Sequence, residues 1–297
     1  MKKNASARLR RGRRTALVSR TPGAIISRIG IRIVLWVYAA IVVLPMAWCI
    51  ISSLKSTKEF YANVWALPKR LAFESYVNAW KSADIGINVI NSIIIVGGSM
   101  LLTLILASMV SYVVVKYKFR GSGIIKMVFI MGTFVPLMLG TIPEFLTLQK
   151  LHLYDTRIGL ILVYTAYSMP LSVMIMTSIY ETIPSTYAEA AMIDGCGHFH
   201  TFFRIMFPLS RAGLVTISIF NFLWTWNDYL YAMTFISSPS KRTLPVGMVK
   251  LQSTAMYKTD WGALFAGLVI IMIPSIIIYA IFNKQLQSGM NAGGIKG

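Results

Sequence analysis

The chain has 297 residues, 56% of them hydrophobic and only 13% charged, with a mean hydropathy of +0.65. A soluble domain of this size needs a larger polar surface than that composition supplies. The net charge of +19 would point to nucleic acid in a soluble protein, but ten of the 29 Lys and Arg fall in the first 32 residues and most others flank apolar runs. That is the pattern of a membrane protein, so no nucleic-acid partner is expected.

The basic tail, residues 1–28 with "MKKNASARLRRGRRTALVSR" at its head, is expected to stay in the cytoplasm near anionic lipid. The first apolar run, Ile33–Leu54, exceeds a signal-peptide core in length and has no A-x-A site after it. It is expected to be a retained span. Residues 55–84 carry aromatic side chains, Pro68 and mixed charges. They are expected to form an external or interfacial segment with a short helix around Phe73–Lys81.

Further runs of spanning length follow: Ile85–Val115, Met127 to Leu148 with Glu144 near its end, Ile158–Tyr180 with a kink expected at Pro170, Ala212 to Ile236 with Asp228 inside, and Trp261–Asn283 with Pro274. The expected fold is all-α, with six transmembrane helices; continuous apolar runs lack the alternation of a membrane barrel. A cytoplasmic N-terminus then returns the C-terminus to the same side, with eighteen basic residues inside and eleven outside. The tail supplies that margin.

Between the fourth and fifth runs lies "STYAEAAMIDGCGHFHTFFRIMFPLS", residues 185–210, too polar and broken to cross a bilayer. Thr186 and Glu189 have capping-box spacing. Gly195 suits the left-handed position that ends a helix. Phe199, Phe202, Phe203 and Met206 fall at i, i+3, i+4 and i+7, an apolar stripe on a second short helix that Pro208 ends. Taken alone, that stripe fits a loop lying under its own bundle.

"EAAMIDGCGHFHTFFRIMFPLSRA" resembles the EAA loop of permease subunits of ATP-binding-cassette importers. Glu189, Ala190, Ala191, Asp194, Gly195, Phe202, Ile205, Pro208 and Leu209 fall on that pattern; Cys196 and Ala212 depart from it. "FLWTWNDYLYAMTFI", "LHLYDTRIGLILVYTAYSMP" and the tail "FNKQLQSGMNAGGIKG" resemble carbohydrate-type, maltose-permease-like members. The resemblance covers roughly residues 85–297. It implies a first helix and external segment over 29–84, a core permease domain over 85–283 with a coupling loop at 181–211, and a cytoplasmic tail over 284–297.

It further implies that Glu189, Ala190, Ala191, Asp194, Gly195 and Phe202 serve ATPase coupling. The implied partners are a homologous second permease, two ATPase subunits and an extracytoplasmic solute-binding protein, in a bacterial-type cell membrane with both termini cytoplasmic. A polyamine or phosphorylated-polyol importer shares the loop, and an autonomous carrier or membrane enzyme is the rival class.

No P-loop is present in the sequence, since "GGS" at 97–99 lacks the lysine. Neither a catalytic triad nor metal-ligand spacing is evident, and no cofactor is expected on this chain. Cys49 and Cys196 are expected to be packing residues, and His198 and His200 to point to different helix faces.

Asp228 comes 17 residues after Arg211 and Glu144 comes 18 after Lys126. At about 1.5 Å per residue each lies some 26 Å past its cytoplasmic flank, in the outer part of the membrane. Trp226, Asn227, Asp228, Tyr229 and Glu144 are therefore candidates for a substrate route. For Asp228, bracing of the bundle or of the sister permease is the competing role. Aromatic faces suit the C–H side of a sugar ring, and Asn or Asp suits its hydroxyls; Trp and Tyr are also ordinary interface anchors.

Overall fold

Long uncharged runs fold as helix because a helix pairs every backbone N–H and C=O inside its own segment, away from water. The computed structural model, which describes residues 22–117, 119–258 and 260–293, contains helices and no strands among those residues. The basic tail through residue 21 and the end of the G-x-K-G tail, residues 294–297, lie outside the described residues.

In chain order the helices are α1 (Pro22–Ser53), α2 (Thr57–Ala62), α3 (Glu74–Ser82), α4 (Ile85–Lys116), α5 (Ser122–Gly132), α6 (Thr141–Lys150) and α7 (Arg157–Thr182). After them come α8 (Thr186–Ile193), α9 (His198–Thr201), α10 (Phe207–Leu209), α11 (Arg211–Asn227), α12 (Leu230–Phe235), α13 (Leu244–Lys258) and α14 (Trp261–Gly293). The expected short helix at 73–81 is α3. Helix α14 runs on to Gly293, so the segment expected to leave the last span at residue 284 begins as its continuation.

Four segments are long and apolar enough to span alone: Ile29–Ser53, Ile85–Lys116, Arg157–Thr182 and Trp261–Asn283. The other two expected spans are broken. Met127 to Leu148 divides into α5, a 3-10 turn at Leu137–Gly140, and α6. Pro136 disfavours helix in the residue before it and has no N–H to donate. Ala212 to Ile236 divides at Asp228 and Tyr229. There the Asp228 carboxylate accepts the Ala232 N–H at 3.1 Å and starts α12 afresh. Helix α11 forms a 75° elbow with the preceding segment His198–Leu209, and that bent pair is the fifth candidate crossing.

The bundle is built on α4 and α7. Their shared face carries small and hydroxyl side chains, among them Ser99, Thr103, Ser108 and Ser111 on α4 and Thr165, Ser172 and Thr177 on α7, all buried. Small residues let the backbones approach and hydroxyls bond across the gap. Ser111 Oγ donates to Val173 O at 3.1 Å, Thr177 Oγ1 donates to Ser111 Oγ at 3.4 Å, and the Ser108 and Tyr180 hydroxyls pair at 2.7 Å. Gly98 belongs to the same face: a Cβ there would lie 2.9 Å from Ile161 Cδ1.

Candidate functional site

The 185–210 segment forms a knuckle at the Lys116 end of α4 and the Thr182 end of α7. Helix α8 starts at Thr186, one residue earlier than a capping box on Thr186 requires. Ser185 holds the N-cap position without a side-chain bond, and its carbonyl accepts the N–H groups of Ala188 and Glu189 at 3.0 Å each. The expected capping box is therefore not formed. Gly195 has φ +79°, the left-handed conformation expected of it, and it closes α8 with the Cys196 N–H on Ala191 O at 2.9 Å.

The two alanines divide their roles. Ala191 is buried, while Ala190 is exposed beside Glu189 and Asp194. Around them Tyr187, Met192 and Ile193 are exposed, Ile193 at 85%. The aromatic stripe also divides. A π turn at Phe202–Met206 adds a residue to the turn, so Phe202 and Met206 are buried while Phe199 and Phe203 face outward. The bundle-packed stripe expected from spacing alone is thus half exposed.

Phe202 is the root of the knuckle. Its ring lies 5.3 Å from that of Tyr112 on α4, and Tyr112 lies 5.7 Å from Tyr180 on α7. Tyr112, Met176, Tyr180, Ala188, Phe202, Met206 and Ile217 make one buried cluster spanning knuckle and bundle. Polar ties lie at its edge. The Tyr117 hydroxyl meets His198 Nδ1 at 2.8 Å, Lys126 pairs with Glu181 at 2.7 Å, and Lys116 Nζ donates to Ile183 O.

The second candidate region lies near the Arg157 end of α7. Trp226 turns into the core, with its ring stacked on Phe222 and Nε1 donating to Ile271 O at 3.3 Å. Asn227 is exposed and donates to Ser275 Oγ on α14 at 3.1 Å. Besides capping α12, Asp228 accepts the Tyr164 hydroxyl at 2.7 Å. Tyr229 lines a cleft of about 500 Å³ with Met233, Ser237, Arg242 and Val246.

Glu144 sits apart from these, on α6, against the Tyr167 hydroxyl, with Oε2 buried and unbonded. Rings absent from the sequence-based set join the two acids: Tyr164, Tyr167, Trp224 and Tyr231 form a box, with Tyr167 and Tyr231 at 4.8 Å and Tyr164 and Trp224 at 5.5 Å. All four lie in the two stretches that carry the carbohydrate-permease resemblance, but the sequence did not show which of their rings pack together.

Above this box a polar clasp ties the loop before α7 to the loop after α12. Asp155, at φ +54°, accepts the N–H groups of Ser237 at 3.0 Å and Ser238 at 2.9 Å, the Ser238 hydroxyl, and Lys241 Nζ at 3.2 Å. Burial pushes its carboxyl pKa up, but those donors outweigh it and bring the value down to about 2. Beside it, fully buried Asn91 donates to Ser240 O and Arg242 O at 3.0 and 2.9 Å and accepts Arg157 Nε at 2.8 Å.

Residues 99–292 match the family described as binding-protein-dependent transport system inner membrane component. The diacetylchitobiose uptake system permease protein of Streptomyces coelicolor is 36% identical over 261 residues, 88% of this chain and 86% of that protein. The probable starch degradation products transport system permease protein of Thermoanaerobacterium thermosulfurigenes is 30% identical across 86% of this chain and 94% of that one. A chain of the bacterial ABC transporter that imports the acidic polysaccharide alginate shares the fold, with a TM-score of 0.79 and 22% identity over 89% of this chain and 98% of that one. By family and by helical framework, the chain belongs to the inner membrane components of binding-protein-dependent transport systems.

Proposed function

We propose that this chain is a permease subunit of an ATP-driven importer of sugars or oligosaccharides. It forms the translocation pathway with a homologous second permease. Two ATPase subunits grip residues 185–210, and an extracytoplasmic binding protein delivers the sugar on the opposite side. The chain crosses the membrane six times, counting the broken α5–α6 segment and α11 with α12; His198–Leu209, beyond the 75° elbow, lies outside the bilayer with the knuckle, and both termini stay in the cytoplasm. The relatives' printed substrates, diacetylchitobiose and starch degradation products, support the solute class.

One observation carries the coupling reading. The knuckle exposes Glu189, Ala190 and Asp194, while Phe202 fixes it to the buried cluster of α4 and α7. Force applied to an exposed, rooted element moves the bundle, and ATPase closure has to act through such a two-state element. ATP is hydrolysed on the partner subunits, and this chain supplies no cofactor chemistry. On the outer side, the Tyr229 cleft and the partly exposed rings of Tyr167 and Trp224 offer ring faces and acceptors suited to a sugar in passage.

The test is co-purification and uptake. Glu189→Lys is expected to leave membrane insertion unchanged while the ATPase subunits no longer co-purify and sugar uptake is lost. Unchanged assembly and uptake in that variant, or transport by the isolated chain without ATPase subunits, would overturn the reading.

A further inference from the structure

Beyond the end of α1 the chain forms a loop whose backbone is tied down and whose large side chains point away. Lys55 is 1% exposed, and its ammonium donates to Val64 O at 2.8 Å and Asn63 O at 3.4 Å. A buried ammonium persists only where acceptors replace its water. Trp48 Nε1 donates to the same Val64 carbonyl at 3.2 Å. The Asn63 side chain accepts the N–H groups of Trp65 and Ala66 at 2.9 and 3.2 Å, an Asx turn. The Ala72 N–H closes the loop on Leu54 O at 2.9 Å.

Outward from this fixed backbone stand Trp65 at 81% exposure, Leu67 at 72%, Leu71 at 53% and Phe73 at 62%, with exposed Lys69 and Arg70 among them, Arg70 lying 3.7 Å from exposed Glu74. A rigid loop with large apolar side chains in the open is a binding surface. Its position identifies what covers it. The Trp65 ring lies 5.6 Å from that of Trp48, in the last turns of α1. The apolar face of α1, with Ile41, Val43 and Leu44 each more than half exposed, meets lipid chains when α1 spans. The patch therefore continues the lipid-facing surface past the helix end, where head groups begin. Trp with Lys and Arg is the composition of that layer.

We propose that residues 63–73 are an interfacial anchor. Trp65, Leu67, Leu71 and Phe73 enter the phospholipid head-group region, Lys69 and Arg70 meet its phosphates, and Lys55 holds the loop in the inserting shape. The assignment to the outer leaflet rests on the orientation given under Proposed function; the lipid contact itself does not.

The experiment uses the full importer in nanodiscs of phosphatidylethanolamine and phosphatidylglycerol, with Cys49→Ala and Cys196→Ala on this chain and a nitroxide on Leu67→Cys. Lys58→Cys, on the exposed face of α2, is the aqueous reference. The label at 67 is expected to be severalfold less accessible to a water-soluble nickel chelate, and more accessible to oxygen, than the label at 58. Trp65→Ser is expected to raise nickel access at 67, and Lys55→Met to raise it further and sharpen the nitroxide spectrum. Equal nickel access at 67 and 58 overturns the anchor. So does protection at 67 that appears only when the binding protein is added, which would make the loop a protein-docking site. In sealed proteoliposomes, an impermeant reductant that reaches the label only from the ATPase side sinks the proposed orientation while the depth result still decides the anchor.

Discussion

The two ends of the bundle are joined by different chemistry. At the knuckle end, Phe202, Met206, Tyr112 and Tyr180 form one apolar and aromatic cluster at the centre of the joint, with polar ties at its edge. At the other end, Asp155 and Asn91 fix the loop after α12 through hydrogen bonds to backbone groups at defined positions. Apolar packing is non-directional and survives small rotations. A carboxylate or amide bonded to several backbone groups does not, because each bond weakens steeply with angle. On the proposed reading, the apolar joint tolerates rotation while staying attached, and the clasp resists it.

Substitutions at each end can break that contrast. Phe202→Ala has the largest expected effect. Emptying its buried site should cost about 3–5 kcal/mol locally, and should uncouple ATP hydrolysis from uptake in reconstituted importer. If coupling survives, the knuckle has another root. Asn91→Ala comes next. It leaves two carbonyls and a guanidinium unpaired, a loss of about 2–3 kcal/mol to be read by thermal unfolding in detergent, with little effect on ATPase attachment.

Asp155→Asn should cost about 1–2 kcal/mol at neutral pH. Its wild-type contribution has a defined pH window. The folded carboxyl lies at about 2, below an unfolded value near ~3.9, so its stabilisation is complete above the unfolded value and is lost as pH falls from there toward 2. The variant should lack that acid-side decline. Gly195→Ala is the mildest change. A Cβ at φ +79° meets open space, so only the backbone conformation is strained, by about 1 kcal/mol, and a modest loss of ATPase co-purification is expected without loss of folding.

Much of this framework is legible in the sequence because lipid leaves few options: α1, α4, α7 and α14 are where uncharged runs of spanning length stand. Gly195 was legible too, since its turn needs a positive φ. The breaks were not. Pro136 and Asp228 sit in apolar context, and only the fold shows that one stops α5 and the other caps α12. The π turn at 202–206 inserts a residue that spacing rules cannot foresee, so Phe199 and Phe203 left the expected face.

In "WTW", Trp224 and Trp226 stand about 200° apart around a helix. The sequence offers both as ring platforms, but Trp226 packs in the core and Trp224 joins Tyr164, Tyr167 and Tyr231. That choice depends on neighbours hundreds of atoms away along the chain.

The hydroxyl seam between α4 and α7 has a mechanical consequence. Two rods tied at intervals bend less than either rod alone, and these ties recur from Thr165 and Ser99 to Ser108 and Tyr180. Helix α7 spans 26 residues, roughly 39 Å. If force enters beside Tyr180 as proposed, these ties favour a tilt of the strut toward Arg157 over curvature along it, with Pro170 the position inside α7 where a backbone N–H is missing.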